Sequence, residues 1–149
     1  MVQANDPVAR LNQLIRGINV AMLTTVRPDG SLHSCPMAPH EVDPAGALWL
    51  ISDNQTEKVE AIKTSPRVNL SFTDHAGQRY VSISGFCEVV RDHAKAKQLW
   101  SPSYQSWFPG GLDDPNLILL KIDVQHAEYW DPSANRMMEV RGFNQPPIE

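Results

Sequence analysis

The chain has 149 residues, 42% of them apolar and 20% charged, with a formal net charge of −4. That is the composition of an ordinary globular domain, and its acidic balance argues against a nucleic-acid binder that depends on a basic face. No 18-residue apolar run offers a membrane span, and two cysteines, Cys35 and Cys87, are too few for a disulfide framework.

In chain order, Asp6 can cap a helix whose first turn carries Pro7. Leu11, Leu14, Ile15 and Ile18 recur at helical spacing, so an amphipathic helix of about a dozen residues is expected to end near Gly17. The opening MVQANDPVAR has neither a basic stretch nor an apolar one, so no secretory leader is expected and cytoplasm is the expected compartment. Strands are expected over 19–26 and 31–37, joined by a turn at Arg27-Pro28-Asp29-Gly30. A third covers 47–53. Asn54 and Glu57 then resemble a capping box opening a second helix, which Pro66 prevents from running far. Strands follow at 67–74 and 79–90, and Gly85 inside the second suggests a bulge or a close approach by something else. A third helix is expected over Asp92 to Trp100, then an aromatic, turn-rich loop at 101–115, a long strand at 116–131 and a polar tail, 132–149, mobile at its end. The order α-β-β-β-α-β-β-α-β, with hairpins rather than βαβ units, predicts one mainly antiparallel β domain over 1–149 with peripheral helices.

Three features could carry chemistry. At the junction from Ser52 to Lys58 a strand runs out into Asp53, Asn54, Gln55 and Thr56 before a helix begins. Free N–H groups, hydroxyls and a lysine there suit a phosphate. The alternative is an ordinary surface Lys58 paired with Glu57 or Glu60. On the second strand, His33, Cys35 and Met37 share one face. No further ligand stands at zinc-like spacing and no nucleophile motif occurs, so metal and triad chemistry are not expected and Cys35 reads as a small hydrophobe. In the late loop Trp107 and Phe108 precede Pro109-Gly110-Gly111, where large aromatics pack on the core, on a second subunit or on a flat ligand. Core packing is expected for Trp100 and Trp130.

Taken together and in order, AMLTTVRPDGSLHSCPM, LWLISDNQTEKVEAI, PRVNLSF and YVSISGFCEVVRD resemble the FMN-binding split-barrel superfamily of pyridoxamine 5′-phosphate oxidase. The later W-(x6)-WFPGG…DDP…LLKIDVQHAEYWD resembles its general stress protein subfamily, so the likeness spans about residues 8–131. The resemblance implies a six-stranded antiparallel split β-barrel that forms a homodimer with FMN at the subunit interface. The matching phosphate positions are Ser34 and Cys35 on the strand and Ser52, Asp53, Gln55, Thr56 and Lys58 at the junction. The ring would lie along Pro36 and Met37, with Trp107 or Phe108 of the partner subunit covering it. Cys35 stands where relatives commonly carry Arg, a loss that should weaken FMN binding unless Arg67 or His33 compensates.

The basic set by which true pyridoxamine phosphate oxidases hold their substrate is not matched, so a vitamin B6 oxidase is disfavoured. The implied function is an FMN-binding general stress protein, with flavin-dependent redox chemistry on a small molecule and NADH or NADPH as donor. Alternatives are a non-enzymatic flavin carrier or sensor, a deazaflavin or haem protein, with His33 or another exposed histidine holding iron in the haem case, and a dimer whose cofactor site has decayed.

Overall fold

The computed structural model describes residues 6–143. The leader expectation therefore rests partly, and the mobile end of the tail wholly, on positions outside the described residues. Pro7–Ile15 forms α1, and Asp6 accepts from the N–H groups of Val8 and Ala9 as the sequence predicts. Gly17 at φ +81° turns the chain out of the helix. Strands follow at Ala21–Val26 (β1), Leu32–Met37 (β2) and Ala47–Asp53 (β3), then α2 at Glu57–Thr64. Arg67–Asp74 (β4) and Arg79–Val90 (β5) precede α3 at His93–Leu99, which Asp92 caps through Lys95 N–H. Short 3-10 turns occupy Pro102–Ser106 and Gly111–Asp113 within the aromatic loop, and Leu117–Asp131 is β6.

All pairing is antiparallel, in the order β2-β1-β4-β5-β6-β3. Among the described residues the sheet does not close on itself: β2 and β3 are its end strands, which makes the barrel a split one. Two differences from expectation stand out. A seventh strand, Arg136–Glu139 (β7), lies within the stretch expected as polar tail and pairs with the end of β6. Its side chains are mostly exposed, so backbone pairing on an already formed β6 creates it rather than an apolar pattern. The second helix starts at Glu57 with Thr56 as cap, not at Asn54. Asn54 instead extends the β3–β6 ladder, donating its N–H to the Asn116 carbonyl at 2.8 Å.

Period-two alternation places the main core. In β4, Val68, Leu70 and Phe72 point inward while Arg67, Ser71 and Thr73 face out. They meet Leu23, Ile83, Leu120, Ile122 and, from α1, Leu11 and Ile15. A second, smaller cluster on the other side of β3 and β6 joins Trp49, Ile51, Leu119, Ala96 and Phe108, and fixes α3 and the aromatic loop to the sheet. Gly85 satisfies both sequence readings, since the β5–β6 register shifts between Ser84 and Gly85 and Asp123 of β6 approaches closely.

α1 is clamped to the segment before β3 by Asn12, whose amide donates to the Val42 carbonyl at 2.9 Å and accepts from Val42 N–H at 2.8 Å. Both groups are buried, so Asn12→Ala leaves two backbone polar groups unpaired. The expected loss is about 2–3 kcal/mol, read from the midpoint of urea unfolding.

Candidate functional site

A cleft of about 340 Å3 is lined from both end strands of the sheet. β2 supplies Pro36 and Met37, the end of β3 supplies Ile51, Ser52 and Asp53, and the start of α2 supplies Thr56 and Lys58. The aromatic loop closes it with Tyr104, Trp107 and Phe108.

The β3–α2 junction is shaped by Asp53. Its carboxylate accepts from Gln55 N–H at 2.8 Å, and its carbonyl accepts from the Thr56 N–H at 3.2 Å and the Thr56 hydroxyl at 2.8 Å. No side chain caps α2, and its first-turn N–H groups stand beside the cleft. Two polar groups here lack ordinary partners. Ser52 is 4% exposed, and its hydroxyl oxygen is buried with no hydrogen bond. Lys58, half-buried, has no carboxylate within 4.0 Å among the described residues, because both expected partners are engaged elsewhere. Glu57 pairs with Arg27 at 2.5 Å and Glu60 with Lys63 at 3.8 Å. The Arg27 guanidinium holds the Glu57 carboxyl below its ordinary value. An unpaired cation at the positive end of a helix dipole beside an unsatisfied buried hydroxyl is a site built for an anion. A phosphate group fits this donor set.

Of the eleven positions singled out from sequence, eight line one cleft, Pro36, Met37, Ser52, Asp53, Thr56, Lys58, Trp107 and Phe108, but the last two, expected from a partner subunit, close the cleft of their own chain. Three lie outside it. Ser34 shares a 2.7 Å hydroxyl–hydroxyl bond with Thr24 on the outer face of the sheet. Cys35 packs against the main core, and Gln55 turns its amide to Asn116. Neither proposed substitute for the missing arginine lines the cleft. Arg67 lies over the Phe86 ring, 5.0 Å from its centroid, in a separate depression, and His33 stands near Glu57 with its Nδ1 buried and without a partner.

The two loop aromatics divide their roles. Phe108 is 3% exposed and anchored in the second core cluster, which presents its neighbour Trp107 at 76% exposure. Trp100 packs against the same cluster, as expected for a core residue. Sequence reasoning missed Tyr104, whose hydroxyl lies 2.9 Å from His40 Nε2. Burial lowers the His40 pKa, helped by nearby Lys95, and burial raises that of Tyr104. The place of Tyr104 three residues before Trp107 on one 3-10 turn was the available signal.

No group of three or more His, Cys, Asp or Glu side chains among the described residues is placed to hold a metal ion, and none of their helices is long and apolar enough to cross a membrane.

The family model described as "Pyridoxamine 5′-phosphate oxidase like" matches residues 6–145. The chain belongs to that family. Among curated relatives of this pyridoxamine 5′-phosphate oxidase-like chain, General stress protein 26 of Bacillus subtilis is 29% identical over 81 residues. The matched stretch covers 52% of this chain and 57% of the relative, so the chain spans little more than half of that protein's length. The crystal structure of General Stress Protein 26 from Bacillus anthracis superposes with a TM-score of 0.74 at 22% identity, covering 93% of this chain and 99% of the other. A general stress FMN/FAD binding protein from Xanthomonas citri gives 0.70 at 23% identity, with 98% and 97% covered. Both show the shared open antiparallel architecture.

Proposed function

We propose that this chain binds FMN in the cleft between β2, β3 and the aromatic loop, as a general stress protein that carries out flavin-dependent redox chemistry on a small molecule. The observation that carries the reading is the buried Ser52 hydroxyl beside Lys58 at the start of α2, neither with a side-chain partner among the described residues. These would hold the phosphate, while Pro36 and Met37 at the β2 edge and Trp107 on the loop offer apolar surface to a flat ring. The FMN/FAD binding named for the Xanthomonas citri protein of the same fold supports the choice of a flavin. Bound FMN would supply hydride chemistry, and the chain's own residues bind and orient it. No acid or base is assigned.

A homodimer belongs to the same proposal. Leu32 (69% exposed), Met22 and Val20 leave apolar surface on and beside β1 and β2, and Val26, Leu32 and Phe86 are among the residues lining an adjoining depression of about 430 Å3. Trp107, exposed at the rim of the cleft, is suited to a contact completed by a second copy.

FMN titrated into the purified protein, followed by tryptophan quenching and the visible flavin bands, tests the reading, with sedimentation of the same sample reporting a dimer. Saturable binding is expected, and NADH or NADPH then reduces the bound flavin. A protein that ignores FMN overturns the proposal. Ser52→Ala adds a check with opposite signs. Removing an unsatisfied buried hydroxyl is expected to stabilise the ligand-free protein by about 1 kcal/mol, yet to weaken FMN binding about three- to tenfold.

A further inference from the structure

Tyr104 and His40 form a polar pair that phosphate binding does not use. They lie 64 residues apart in sequence, and no local pattern brings them together. Tyr104 is held rigidly. Its ring packs on Trp100 with centroids 5.7 Å apart, its N–H donates to Ser101, and its carbonyl accepts from the N–H groups of Trp107 and Phe108, each at 3.0 Å. The ring therefore has little freedom to swing away from the cleft that it lines with Lys58 and Ser52. A phenol has one donor and can accept as well. When the imidazole N–H donates to the phenol oxygen, the hydroxyl proton is left to serve something else, and the cleft is what that wall faces.

We propose that Tyr104 is a ligand-contacting residue of this cleft and that His40 is its positioning residue. His40 Nε2–H donates to the Tyr104 oxygen, and the Tyr104 hydroxyl donates in turn to an acceptor on the polar edge of the flavin ring. The inference rests on the FMN reading. A phosphate held by Lys58 and Ser52 leaves the planar part of the same molecule to the walls formed by β2 and the aromatic loop.

The charges around His40 set how the pair responds to pH. Burial disfavours the imidazolium, and Lys95 of α3 opposes it as well, so His40 is held below the ordinary histidine value. Glu41, next in the chain, is directed to Arg16 at 3.9 Å. Asp43 accepts from the Trp49 indole N–H at 3.0 Å and also lies near Lys95. At neutral pH His40 is uncharged, and its two tautomers share the bond with Tyr104. As pH falls through the lowered His40 value, both ring nitrogens become donors. Nε2 can then only donate, which commits the Tyr104 hydroxyl to the ligand. This component strengthens binding as pH falls. The phosphate's own protonation opposes it, and does so equally in every variant of this pair.

The test is the dissociation constant of FMN from about pH 5 to pH 8, by flavin and tryptophan fluorescence, for the wild type, Tyr104→Phe and His40→Gln, each checked for its unfolding midpoint. Tyr104→Phe keeps the ring on Trp100 and removes only the oxygen. It is expected to fold like the wild type and to bind FMN about three- to tenfold more weakly, without the component that strengthens at low pH. His40→Gln is expected to lose that same component while leaving the neutral-pH affinity nearer the wild-type value. A Tyr104→Phe protein with wild-type affinity and pH profile overturns the contact and leaves the FMN reading standing. His40→Gln with an unchanged pH profile overturns the positioning role. A wild type that does not bind FMN removes both readings together.

Discussion

Lys58→Ala is expected to weaken FMN binding by about ten- to a hundredfold. A charge-assisted hydrogen bond to a phosphate contributes about 1.5–3 kcal/mol, and Lys58 is half-buried, which limits its screening by salt. The unfolding midpoint should hardly move, because Lys58 makes no ion pair among the described residues and its removal leaves no buried carboxylate unpaired. Its position in the first turn of α2 makes its charge mildly unfavourable to the helix dipole in the ligand-free protein. Loss of affinity without loss of stability separates a binding lysine from a structural one. Fluorescence titration at two salt concentrations measures the first and thermal unfolding the second. An affinity for FMN unchanged by Lys58→Ala would sink the assignment of the phosphate to this junction.

The second large effect is on stability. Gly85 sits in the middle of β5, where a Cβ would stand 2.2 Å from the Asp123 carbonyl oxygen and 3.0 Å from its carbonyl carbon. Both are backbone atoms of β6, so no flexible side chain can move aside. Gly85→Ala must open the bulge or push the two longest strands apart, at a cost of about 2–3 kcal/mol. For a domain of this size that lowers the unfolding midpoint by about 4–12 °C. Replacing the exposed Ser71 of the neighbouring β4 by Ala should change it very little, which shows that an alanine in this sheet is not by itself destabilising. A Gly85→Ala protein as stable as the wild type would mean that the β5–β6 contact is looser than its geometry indicates.

Much of the frame was legible because it depends on patterns a few residues long. The alternation in RVNLSFTD predicts β4 with both its ends, and ALWLISD predicts β3 over 47–53, a strand that the structure buries on both faces. Asp6 with Pro7, Asp92, and the turn formers around Gly30 act through hydrogen bonds and backbone angles within three or four residues. The capping-box reading failed because a longer-range partner won, the Asn116 carbonyl capturing Asn54 for the sheet. β7 was illegible for a related reason. RMME carries no strand pattern of its own and is held by pairing with β6, while Val140 just beyond it folds under as a buried residue bonded to Ala127.

The phosphate end of the candidate site shares this local character. Ser52, Thr56 and Lys58 lie within seven consecutive residues, so a strand-to-helix junction with their chemistry could be read directly. Whether Lys58 was free could not be. Glu57 and Glu60 stood close enough in sequence to neutralise it, and only the fold directs Glu57 to Arg27, 30 residues away. The sequence by itself determined an antiparallel β domain with helices capped by Asp6 and Asp92, an irregularity at Gly85 and a polar junction suited to an anion. Periodicity, propensity and capping act over short stretches of chain and survive without knowledge of what packs where. The tertiary structure alone decided that β2 and β3 are the end strands of the sheet, that the aromatic loop reaches the junction beside them, and that His40 meets Tyr104. Those contacts join segments tens of residues apart, and they are fixed by curling the open sheet around one shared core and by anchoring Phe108 in a second.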